Sequence, residues 1–344
     1  MTSIAVTGAA GSVGRRVVER LEAEAGVGTI RAFDRVAYAA PRSVDFQQRD
    51  IMAAGDDRLF EGCDSIVHLA EEPPGRRQRG LAVAMLDRVL AQAEQAGCPQ
   101  VVLLSSALVY GAYPGNPLPL TEQHRPRPIP GCHYAVTKAD LERRATAWAK
   151  RTGARLAILR PTATLSERGT SYIGGALREM TLVRPEAVDS PVQFLHHEDL
   201  ASAVTLASVK SLCSVYNVAP GGWIGPEVFR DLLAEAGFAW PEPVKEAITR
   251  LGLAVPPLRV EPGLDAYVTF PWVIANDRLR SVGWEPEFSN EETFVLGHPQ
   301  PGWVQFGRRR RQELTMAVLG LAAAATATAA VHLARSVGRV GRRG

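Results

Sequence analysis

Short apolar runs recur through the first half of the chain, at Ile4–Val6, Ile30–Phe33, Ile66–Leu69, Val101–Leu104 and Leu156–Leu159. Each is too short for a helix and lacks polar alternation, the pattern of strands covered on both faces. Between them, apolar residues return every three or four positions across Arg15–Glu24, Leu81–Ala96 and Ala135–Arg151, which predicts helices. Strands alternating with helices predict an α/β fold with a doubly wound parallel sheet. The rhythm breaks at Gly111–Gly131, where six prolines predict a long surface loop ahead of a helix. Beyond Gly169 it loosens. Gln193–His197 and Val215–Val218 read as strands and Pro226–Ala236 as a helix, while the proline-rich stretch 241–271 resists assignment. The predicted organisation is a cofactor domain over 1–169, a smaller C-terminal substrate lobe over 170–306 interleaved with late strands of the sheet, and a tail over 307–344.

The first predicted strand runs into Val6-Thr-Gly-Ala-Ala-Gly-Ser-Val-Gly14, and a helix pattern follows. Gly8 permits the tight turn, Gly11 leaves room for a diphosphate, and Gly14 lets the helix pack on the sheet. Ser12 and Val13 then stand at the helix N-terminus, where free N–H groups attract phosphate. This is the glycine pattern of a Rossmann-type dinucleotide site. Asp34 ends the second strand pattern, where a carboxylate accepts bonds from the ribose hydroxyls and repels a 2′-phosphate. It favours NAD over NADP, although the adjacent Arg35 offers a guanidinium to such a phosphate.

Ser106 follows the Val101–Leu104 strand, and Tyr134 and Lys138 lie four residues apart on one helix face. A tyrosine is a poor base at neutral pH unless its phenolate is favoured. The Lys138 ammonium and an oxidised nicotinamide would both favour it. Tyr134 then exchanges the proton of a substrate hydroxyl while hydride moves, and Ser106 holds the same oxygen.

Composition narrows the classes further. The net charge is +3, but residues 307–344 hold eight arginines against Glu313 alone. The tail surplus leaves a mildly acidic body, which disfavours nucleic acid as a partner. Cys63, Cys98, Cys132 and Cys213 form no C-x-x-C pair and read as reduced structural thiols. His196 and His197 have no ligand partners at metal spacing and read as structural, so no metal is expected. A strand pattern starting almost at Met1 leaves no room for a secretory signal, so a cytoplasmic body is expected. Leu314–Ala334 carries no Asp, Glu, Lys or Arg and is bracketed by arginines, long enough for a membrane-crossing helix. The expectation is a membrane tether with the body facing the cytoplasm.

With these motifs the chain resembles the extended short-chain dehydrogenase/reductase family, the NAD-dependent epimerase/dehydratase group. The resemblance covers about residues 3–290. It adds Asp50 and Ile51, which in the family contact adenine, and His68-Leu69-Ala70, where the fourth strand meets the cofactor. Ser105–Gly111 matches the serine strand, and Leu159-Arg160-Pro161 the sixth. Phe194–Ala201 resembles the HVxDLA segment, and Tyr216-Asn217-Val218 the strand that follows.

The departures matter as well. Ala107 and Leu108 replace the acidic pair of the dehydratases. Ala163 stands for the asparagine, and Val192 for the arginine, that bind the diphosphate of sugar nucleotides. Ala82 stands for the asparagine opening the fourth helix. The resemblance implies an NAD-dependent oxidoreductase, and the departures favour a secondary alcohol or ketone of steroid or lipid type as substrate. A nucleotide-sugar 4-epimerase is the competing enzyme reading, and a cofactor-binding regulator without turnover is the non-enzyme one. Family members often pair through the tyrosine helix and the one before it, so the resemblance also implies a homodimer.

Overall fold

A computed structural model describes residues 1–53, 58–71, 78–167, 171–183, 190–235 and 262–297. The first half of the chain forms β1 (Thr2–Thr7), α1 (Ser12–Ala23), β2 (Val27–Asp34), β3 (Asp45–Gln48), β4 (Ser65–His68), α2 (Gln78–Gln95), β5 (Gln100–Leu104), α3 (His133–Thr152) and β6 (Arg155–Pro161), and all of these but β3 were predicted. Then follow β7 (Ala163–Leu165), α4 (Tyr172–Val183), β8 (Phe194–His196), α5 (His197–Val209), β9 (Val215–Val218) and α6 (Pro226–Glu235). The main sheet has the order β3-β2-β1-β4-β5-β6-β9, with every pair parallel. The order reverses between β1 and β4, so a crevice opens there at the carboxyl ends of the strands.

Alternate residues of each strand serve opposite layers. Ile4 and Val6 pack with Val17 and Leu21 of α1 and with Leu200 and Val204 of α5. Ala5, Ile66 and Val101 join Leu86 and Val89 of α2 and Leu141 and Trp148 of α3 on the other face. Burial on both faces explains the unbroken apolar runs.

Several elements differ from the sequence reading, the unpredicted helix α4 among them. β3, Asp-Phe-Gln-Gln, is a polar edge strand with no apolar run to announce it. β7 and β8 form a separate two-stranded parallel sheet. The expected strand Gln193–His197 stops at His196, and His197 opens helix α5.

Close packing divides the chain into two units, residues 1–229 with 260–298, and residues 230–259 with 299–344. Most of the second unit lies outside the described residues.

The expected membrane tether is corrected. Among the described residues, no helix is long and apolar enough to cross a membrane. The 20-residue α3 carries charge along its length, from Lys138 to Arg151. The segment Leu314–Ala334 itself lies outside the described residues. The tether rested on length and lack of charge in an alanine-rich stretch, and alanine contributes little apolar area per residue. The membrane partner and the membrane-tethered placement are not carried further.

Candidate active site

The loop after β1 crosses the crevice in a conformation that only glycine permits. Gly8 has φ +76°, and a Cβ there would lie 2.6 Å from the Ala70 nitrogen. A Cβ on Gly14 would meet the Gly8 carbonyl oxygen at 2.1 Å, so α1 reaches the loop only because that atom is missing. Gly11 caps α1 in extended geometry, leaving the first-turn N–H groups directed at the crevice. This cradle fits a diphosphate.

Asp34, at the end of β2, accepts the Ala10 N–H at 2.9 Å and the Val36 N–H at 2.9 Å. It thus braces the glycine-rich loop and keeps lone pairs for further donors. Asp50 accepts the Met52 N–H at 2.8 Å, which fixes the turn presenting Ile51. The Ile51 carbonyl receives Arg88 Nε at 2.7 Å.

One cleft of about 520 Å³ gathers these groups. Gly8, Gly11, Ser12, Val13, Gly14, Asp34, Arg35, Asp50, Ile51, Leu69, Ala70, Ser106, Tyr134 and Pro161 all line it. Lys138 lines a small adjoining recess, shared with Tyr134, Leu69, Ala70 and Leu104. Every residue singled out for cofactor or chemistry therefore converges on one place. Among the described residues, no group of three or more His, Cys, Asp or Glu side chains is placed to hold a metal ion.

Ser106 is buried, and its Oγ accepts the Leu108 N–H at 3.2 Å, capping the 3-10 turn Ala107–Tyr110. Tyr134 lies in the first turn of α3 and Lys138 in the next. The Lys138 Nζ lies 5.4 Å from the Tyr134 ring centre. It donates to the Leu104 carbonyl at 3.0 Å and pairs with Glu71 at 3.1 Å. A second network fixes α3 to the sheet. Glu142, one turn beyond Lys138, receives Arg160 at 2.9 and 2.6 Å and Ser105 Oγ at 2.5 Å. Arg160 also donates to the Tyr110 hydroxyl at 2.8 Å.

Several site residues escaped the sequence reading. Glu71 carries no motif of its own, and only the fold brings it to Lys138. Thr162, Thr164 and Ser171 also line the cleft. The Thr162 hydroxyl is buried without a hydrogen-bond partner. His197, read as structural, also lines the cleft. His68 ends β4 with its Nδ1 2.8 Å from Thr7 Oγ1. Burial, aided by the nearby Lys138 charge, lowers its pKa to about 4, so the ring is neutral.

Residues 4–219 match the NAD dependent epimerase/dehydratase family. The chain belongs to that family. It is therefore an NAD-dependent enzyme of the extended short-chain dehydrogenase/reductase class, and the glycine cradle and Asp34 are consistent with that cofactor. No curated protein matches the chain.

Solved structures share the fold. A UDP-glucose 4-epimerase from Thermus thermophilus, in complex with NAD, is 22% identical with a TM-score of 0.65, over 86% of this chain and 97% of that one. A UDP-glucose 4-epimerase from Thermotoga maritima, with UDP-glucose, is 20% identical with a TM-score of 0.63 over the same shares. A UDP-N-acetylglucosamine 4-epimerase from Bacillus cereus is 16% identical with a TM-score of 0.63, again over 86% and 97%. At these identities the likeness establishes the architecture. It supplies no basis for a homodimer, and that expectation is withdrawn with the membrane partner.

Proposed function

We propose that this chain exchanges hydride at a secondary hydroxyl of a nucleotide sugar, in the manner of a 4-epimerase. The observation that carries this reading is the cleft itself, where Ser106 and Tyr134 share one cavity with the glycine-rich loop. The relatives named above act on UDP-sugars, and this chain spans nearly all of their length, so the steroid or lipid reading is given up.

Ala163 and Val192 supply neither an amide nor a guanidinium to a substrate diphosphate. Ala163 is buried in β7 opposite Phe194, and Val192 is buried and bridged to Ile224. Neither lines the cleft. Diphosphate contacts to the substrate would come from other side chains.

NAD, when bound, supplies the hydride acceptor and donor. Tyr134 takes and returns the hydroxyl proton, and Ser106 holds the reacting oxygen. Lys138 places a positive charge beside the phenol, which favours phenolate. Glu71 holds that ammonium in the recess. No acid pair follows Ser106, so water elimination has no general acid there.

Incubation of the full chain with NAD and UDP-glucose, UDP-galactose or UDP-N-acetylglucosamine, followed by NMR of the sugar, tests the reading. The expected result is interconversion of 4-epimers without net NADH. Accumulating NADH with an oxidised sugar would make the chain a dehydrogenase. Absence of both binding and turnover with all three would end the nucleotide-sugar reading.

A further inference from the structure

His197 opens α5 directly after β8, and the packing of α5 on α1 brings its ring against the glycine-rich loop. The residue is 1% exposed. Its Nδ1 lies 2.7 Å from Ser12 Oγ and 3.0 Å from Ser166 Oγ. Ser12 is the first residue of α1, among the N–H groups that form the diphosphate cradle. Its hydroxyl also receives Arg16 Nη1 at 3.3 Å, and Arg16 is in turn held by Glu198 at 2.7 Å. Ser166 follows β7, the strand that contributes Thr164 to the cleft wall. One imidazole thus ties the cofactor loop to the substrate-side strand. In the HVxDLA segment the corresponding residue is valine, which can hold neither serine.

We infer that His197 is a positioning residue for the cofactor diphosphate, acting through the Ser12 hydroxyl. The inference rests on the cleft being the NAD site. A serine hydroxyl at a helix N-terminus rotates among three staggered positions. With Arg16 donating to its oxygen and the His197 Nδ1 at 2.7 Å, Ser12 keeps one. The first turn of α1 is then ordered before the ligand arrives, so less conformational freedom is lost on binding. A neutral ring suits this role, because the protonated ring has no lone pair left for a hydroxyl proton. Burial keeps it neutral, reinforced by the charge of Arg16.

The test is calorimetry on the full chain with NAD and with ADP-ribose, which carries the diphosphate but no nicotinamide. Wild type, His197→Val, Ser12→Ala and the double variant are compared. Each single variant should bind both ligands about five- to tenfold more weakly, the scale of one lost hydrogen bond. The double variant should lose no more than either single one, because both changes break the same link. His197→Asn, which keeps an acceptor, should recover part of the loss. A wild type that fails to bind NAD overturns the cofactor reading and this inference together. Normal wild-type binding with an unchanged His197→Val overturns the inference alone, as do losses that multiply in the double variant. Should His197→Val fail to fold, Ser12→Ala decides by itself, and unchanged affinity there overturns the inference.

Discussion

Tyr134 has the most to do of any single residue here, and its surroundings determine how its role can be measured. It stands between the cleft, which it lines with Ser106, and the recess that holds Lys138. Tyr134→Phe removes one hydroxyl and leaves the ring. Turnover on the sugar nucleotide that proves to be the substrate should fall at least ~100-fold, the usual scale of positioned acid–base catalysis. NAD affinity by calorimetry should stay nearly unchanged, because the glycine cradle and Asp34 are untouched. Full turnover in the variant would end the assignment. Lys138 and Glu71 differ from Tyr134 in kind. Each is one half of a 3.1 Å ion pair at the mouth of the recess, so altering either changes the charge that the phenol meets.

Among the elements, α3 sets the geometry of the chemistry. It carries Tyr134 and Lys138 near its start and is fastened to the sheet by the Glu142–Arg160 pair. The two side chains are 6% and 4% exposed, so both charges are removed from water. Breaking such a pair from one side strands the partner's charge and costs about 3–5 kcal/mol. Glu142→Gln should therefore lower unfolding free energy by that order in denaturant titrations. Replacing both residues with methionine should cost less than the single change, since no buried charge remains. Equal or greater loss in the double variant would mean that the pair is not the fastening. α5 has the matching role across the sheet, where it packs on α1 and delivers His197 to the loop.

For the molecule as a whole, two buried neutral histidines give stability a pH dependence. His68 and His197 have pKa values lowered to about 4 and about 3, in both cases chiefly by burial. An unfolded histidine titrates near 6.5. Between these values the unfolded chain binds more protons than the folded one, so stability rises with pH there. The contribution is complete above about pH 6.5 and is lost as the pH falls through 6.5 toward 4 and 3. At pH 5 each histidine should already have cost about 2 kcal/mol. Thermal melts of the apo-protein should show Tm dropping from pH 7 to pH 5, above the range where most carboxylates titrate. A flat profile across that interval would show that these rings are not held neutral in the fold.

Local sequence determined much of this protein. The apolar runs predicted β1, β2, β4, β5 and β6, because strands buried on both faces must be apolar throughout. The glycine spacing predicted the cradle, because the loop needs φ values and close approaches that a side chain forbids. Asp34, Ser106 and Tyr134 were legible from their register with those strands and with α3. The polar edge strand β3 was not, since nothing local separates Asp-Phe-Gln-Gln from a loop until β2 lies beside it. Thr162, Thr164 and Ser171 were also hidden, because they form no motif and only the fold brings them to the cleft. Sequence departures at Ala163 and Val192 pointed toward a lipid-like substrate, but both residues are buried away from the cleft. His197 shows the same limit most plainly. It lies 185 positions from Ser12 along the chain, and the 2.7 Å contact exists only because α5 packs on α1. Contacts made across such separations carry no local signal, since their geometry is fixed by packing of the whole sheet and its helices.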